Sequence, residues 1–147
     1  MTALEFSRLR TKVKRSQKEL ASILGVSLKA VESYEQGWRP VPVAVERTLY
    51  YLAFRLAGIG HQSEDQDLTC WNRLKCTETR RAACPAWQAG EGRFCWFLTG
   101  NLCAAAGSGT SGNSAGQETQ AEQDQSESFL CYSCPVFLEG KSRLGLA

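Results

Sequence analysis

The chain has 147 residues, room for one average domain or two small ones, with 17 Lys and Arg against 15 Asp and Glu for a net charge of +2. No apolar run approaches the roughly 20 residues needed to span a bilayer, and the opening MTALEFSRLR lacks the basic-then-apolar order of a secretory signal. A membrane protein is therefore not expected, and a cytoplasmic one is.

Charge and cysteine content divide the chain in two. Residues 1–56 hold ten Lys and Arg, five Asp and Glu and no cysteine, for a net of +5; residues 57–147 hold seven against ten, for a net of −3, and all seven cysteines. A basic head on a mildly acidic remainder fits a head that meets a polyanion.

The elements follow in chain order. Leu4, Phe6, Leu9 and Val13 recur at helical spacing and predict a first helix ending near Lys14. Ser16 with Glu19 forms a capping-box pattern opening a helix over 17–24, with Leu20, Ala21 and Leu24 on one face. Gly25 closes it, Val26 turns inward, and Ser27 caps a third helix over 28–36 that buries Val31 and Tyr34 and stops at Gly37. Pro40 and Pro42 punctuate a loop. Residues 43–56 read as a fourth helix with Val45, Leu49, Leu52, Ala53 and Leu56 as its apolar stripe. Two short helices joined by a tight Gly turn make a helix-turn-helix unit. Residues 57–69 read as a polar linker holding His61, the only histidine; 104–128 read as a disordered insert without a large apolar residue.

The ordered set Ser16-Gln-Lys-Glu-Leu-Ala, Leu24-Gly-Val-Ser27, Val31-Glu-Ser-Tyr-Glu-Gln-Gly37 and Arg39-Pro40 resembles the Xre/phage-repressor helix-turn-helix family over about residues 4–56. The resemblance implies binding of double-stranded DNA, with the 28–36 helix in the major groove. Lys29 and Ser33 are then the candidates for base contact, and Leu28 for a thymine methyl. Gln17 matches the family's phosphate-contacting position, Ser27 shares that task at its helix start, and Arg39 grips phosphate from the following loop. Arg10 and Glu35 match the family's internal ion pair. Such units usually read paired half-sites, so a homodimer is expected.

The cysteines Cys70, Cys76, Cys84, Cys95, Cys103, Cys131 and Cys134 are spaced C-x5-C-x7-C-x10-C-x7-C-x27-C-x2-C, and the spacing hides a repeat. One half runs Cys70-Trp71, Cys76, Cys84-Pro-Ala-Trp87; the other runs Cys95-Trp96, Cys103, Cys134-Pro-Val-Phe137, with Cys131 as the extra member. Over about 68–138 this resembles the bacterial and archaeal two-CW domain, which implies little about chemistry. Clustered cytosolic thiols favour metal binding or redox work, so all seven are candidate ligands. Zinc sites usually show two close Cys pairs, and only Cys131-x-x-Cys134 is one. An iron–sulfur cluster tolerates looser spacing, and zinc or no cofactor remain the alternatives. Cys70, Cys84, Cys95 and Cys134, the repeated positions, are the favoured ligand set.

The expected fold is an all-α helix-turn-helix bundle of four to five helices over 1–56, then the linker, a small irregular cysteine-rich domain over 70–138, and a tail over 139–147. The expected function is a transcriptional regulator whose cysteine-rich part senses redox state or metal, any signal passing through the linker or dimer contacts. The alternatives are an electron-carrying metalloprotein tethered to DNA and a plain repressor with a structural zinc or thiol-rich tail. No Ser-His-Asp set or paired carboxylates mark an enzyme, and none is expected.

Overall fold

The structure, a computed structural model, describes residues 1–59, 69–98 and 134–146. His61 and most of the linker, Cys103, Cys131 and the insert at 104–128 lie outside the described residues. The fold is all-α, with no strand among the described residues. The chain divides into two compact units, Met1–Gln66 with Glu139–Ala147, and Asp67–Leu138.

In the first unit each helix starts and stops where its capping residues dictate. The α1 helix (Ala3–Val13) begins after Thr2, whose hydroxyl accepts from the Glu5 amide, and ends at Lys14 in the left-handed region. At α2 (Gln17–Leu24) the capping box closes from both sides: the Glu19 amide donates to Ser16 Oγ at 3.3 Å, and the Ser16 amide to Glu19 Oε2 at 2.9 Å. Gly25 stops α2 at φ +67, a conformation that costs other residues Cβ strain, and the Val26 amide returns to the Ala21 carbonyl at 3.0 Å. Ser27 then caps α3 (Leu28–Gln36) by accepting from the Ala30 amide at 3.1 Å. Each such cap contributes about 1 kcal/mol. The α4 helix (Val43–Leu56) follows Pro42.

These helices bury Phe6, Leu9, Val13, Leu20, Val31, Tyr34, Leu49 and Ala53, with Phe6 against Tyr34 at 5.7 Å between ring centroids. Two expected core residues are exposed instead. Leu4 lies two residues, about 200° of helix rotation, from Phe6 and points away; Leu56 is the last residue of α4. Tyr50 and Phe54 are buried in α4 beside the expected stripe, while Leu24 and Leu52 are only half-buried.

The segment expected as a tail is helical through Arg143, within α9 (Pro135–Arg143). Its part from Glu139 onward belongs to the first unit, where Lys141 Nζ meets Glu5 Oε1 at 2.6 Å and the Tyr50 hydroxyl donates to the same oxygen at 2.5 Å. Gly140 is required there, because a Cβ would run into the Phe54 ring.

The second unit turns the sequence repeat into repeated structure. Each Cys-Trp pair opens a short helix: α5 (Cys70–Arg73) and α8 (Cys95–Leu98). Each Cys-Pro pair precedes one, with Pro at the first helical position, where its missing N–H costs nothing: α7 (Pro85–Gln88) and α9. Between them lies α6 (Glu78–Ala82). Each half also stacks its tryptophan edge-on against its own Cys-Pro-x-aromatic ring: Trp71 on Trp87 at 4.8 Å, and Trp96 on Phe137 at 5.1 Å.

Candidate functional site

The α3 helix is held from below by one carboxylate. Glu35 accepts from Arg10 Nε of α1 and from Gln17 Nε2 of α2, both at 2.5 Å, so a single side chain ties three helices together. The expected Arg10–Glu35 pair is present. Burial alone would raise the Glu35 carboxyl, but the hydrogen bonds from Arg10 and Gln17, with the Arg10 charge, outweigh it and hold the group below the usual carboxylate range.

The helical period then decides which α3 side chains face out. Ala30, Val31, Ser33 and Tyr34 are buried; Leu28, Lys29, Glu32 and Gln36 are exposed. Lys29 and Leu28 therefore stand free on the first turn, beside the cap Ser27. Ser33 does not. It lies three residues after Ala30, on the inward side, and its hydroxyl donates to the Lys29 carbonyl at 2.7 Å, so its expected base contact is corrected to a structural role. Gln17 sits at the start of α2 as expected, but its amide nitrogen serves Glu35. Arg39 is exposed in the loop after α3, next to Trp38, which is 77% exposed and which the sequence reading passed over. A large aromatic in the loop after a capped helix was the available signal.

The second unit gathers thiols. Cys70, Ala86, Cys95 and Val136 are buried in one cluster, with Cys84 and Cys134 packed against it. All four repeated Cys-Trp and Cys-Pro cysteines therefore share one small core. The Cys95 thiol lies within hydrogen-bonding reach of both Cys134 and Cys70. Its hydrogen bond, aided by the Val136 and Phe137 amides, brings the Cys134 thiol down to about 6 against the opposing effect of burial. The Cys70 thiol is lowered chiefly by its hydrogen bond with Cys95, and Cys95 is pushed up by its bonds to Cys134 and Cys70 and by burial. Cys76 is half-buried, its amide bonded to the Trp71 carbonyl at 3.0 Å. Among the described residues no group of three or more His, Cys, Asp and Glu side chains is placed to hold a metal ion. The soft donor set suits such an ion, but the described side chains do not form a ready-made cage.

Comparison with known proteins finds no matching family model, no matching curated protein and no matching solved structure.

The Glu35 brace makes a pH prediction. Because its folded carboxyl is depressed, its stabilisation is present above the ordinary carboxylate range and is lost as pH falls through the lowered value. Glu35→Gln is expected to cost about 1.5–3 kcal/mol at neutral pH, the worth of hydrogen bonds to a charged group, and to flatten the acid side of the stability profile. Urea unfolding of both proteins at neutral and acid pH measures this; an unchanged acid slope would contradict it.

Proposed function

We propose that this protein is a DNA-binding transcriptional regulator whose cysteine-rich unit senses redox state. The observation that carries the DNA reading is the α3 helix. It is braced on its inner side by Glu35 and presents Leu28, Lys29 and Glu32 outward, immediately after the Ser27 cap and ahead of exposed Arg39. In such a unit the outer face of the second helix lies in the major groove of double-stranded DNA, and flanking cations fix it on phosphate. Lys29 reads a base edge, Leu28 contacts a thymine methyl, Ser27 and Arg39 hold phosphate, and a homodimer reads paired half-sites.

The gathering of four thiols in one core supports the sensing half. A second reading, also supported by that convergence, is an iron–sulfur cluster or a zinc ion held by Cys70, Cys84, Cys95 and Cys134. Thiolates select soft metals, and the surrounding tryptophans would exclude water.

Two expectations test this. Duplexes selected from a random library should bind the full chain. Lys29→Ala should cost about 1–3 kcal/mol and relax preference at one base position, whereas Arg39→Ala should weaken all duplexes alike and reduce the salt slope by about 1. Failure to enrich any duplex, or full affinity in both variants, would sink the DNA reading. For the cofactor reading, protein purified without oxygen should carry iron with sulfide, or zinc, and lose it in Cys70→Ser but not in Cys76→Ser. Metal-free protein, or loss in Cys76→Ser alone, would reject that ligand set.

A further inference from the structure

We propose that Cys95 and Cys134 form a peroxide-reactive pair: a hydroperoxide oxidises Cys134, and Cys95 closes a disulfide on it. This rests on the redox-sensing reading and names its reacting atoms.

The geometry assigns different parts to the two residues. Cys134 is half-buried, within reach of a small oxidant, and stands before Pro135 at the start of the nine-residue α9. The Val136 and Phe137 amides there hydrogen-bond its sulfur. Cys95 is 3% exposed, too enclosed to meet an oxidant first, and belongs to the same small core against which Cys134 packs, within hydrogen-bonding reach of it. The Trp96–Phe137 stack fixes the neighbour of Cys95 against the third residue after Cys134, which holds the helix starts that carry the two cysteines side by side. Disulfides require such adjacency, since Cβ atoms must come within about 3.5–4.5 Å.

The chemistry balances in two steps. The Cys134 sulfur takes the distal oxygen of the hydroperoxide, the O–O bond breaks, and an alcohol (or water, from hydrogen peroxide) leaves with the thiol proton; the product is a sulfenic acid. The Cys95 sulfur then attacks that sulfenic sulfur, the S–O bond breaks, and water leaves with the Cys95 proton. Two thiols are oxidised by two electrons in all, and the peroxide is reduced by two. A thiol reductant reverses the result.

The competing pair is Cys131 with Cys134, the Cys-x-x-Cys spacing of the sequence. The test treats the reduced full chain with hydrogen peroxide in the presence of a chelator, blocks remaining thiols, and digests with chymotrypsin. Cleavage at Trp96, Leu98, Leu130 and Tyr132 separates Cys95, Cys103, Cys131 and Cys134. The expected result is a Cys95–Cys134 linked peptide and loss of two blockable thiols. The link survives in Cys76→Ser, and Cys95→Ser leaves a sulfenic acid on Cys134 that dimedone traps. A Cys131–Cys134 or Cys70–Cys95 link in the wild-type chain, or no thiol loss, overturns the proposal. The wild-type map needs no variant to fold, and it uses no DNA. It can therefore fail while DNA binding holds, and the reverse.

Discussion

Glu35 is the residue on which the head depends. Its two oxygens accept from α1 and α2, and its backbone lies in the last turn of α3. A helix of nine residues has little stability by itself, since isolated helices below about 12–15 residues are marginal in water. The caps at Ser27 and Gly37 set its ends, the burial of Val31 and Tyr34 sets its rotation, and Glu35 ties it to the two helices before it. The outward placement of Leu28 and Lys29 is a consequence of those three constraints together. An α3 free to roll by one residue would turn Lys29 about 100° away.

The cysteine-rich unit solves a different problem. Its helices α5 to α8 have four or five residues each, too short to carry a hydrophobic face of their own. What holds them is the doubled set of Cys-Trp and Cys-Pro-x-aromatic elements, each half stacking two rings and contributing one small apolar residue, Ala86 or Val136, to the shared core. The halves are not equal. Trp96 and Phe137 are fully enclosed, while Trp87 is 39% exposed, with the Arg81 guanidinium over its ring at 5.0 Å. The better-enclosed half also carries the Cys95–Cys134 contact.

Much of the head was legible because its signals are local. Ser16 with Glu19, Gly25, Ser27 and Gly37 act through backbone groups within a few residues, and the bounds of α2, α3 and α4 fall where those residues and Pro42 put them. Tertiary choices were less legible. Ser33 was placed outward because only Val31 and Tyr34 were taken as the inward side of α3, whereas Ala30 and Ser33 are buried with them. Residues 139–147 read as a tail, with no local signal to place them. Their place is fixed by Gly140 fitting the Phe54 ring and Lys141 meeting Glu5, contacts with residues far away in sequence. The cysteine core was legible as a repeat, and the repeat named the four residues that share it. Which thiol would donate to which was not, because that depends on how the helix starts at Cys95 and Cys134 approach each other.

The most direct test of the account is the affinity of the full chain for a selected duplex, by fluorescence anisotropy, with its cysteines reduced and again after oxidation. A regulator whose thiol core biases its DNA-bound form is expected to change affinity roughly 5- to 150-fold, the range of about 1–3 kcal/mol of coupling, and to recover on reduction. Equal affinity in both states, with oxidation verified on the same sample, would contradict it.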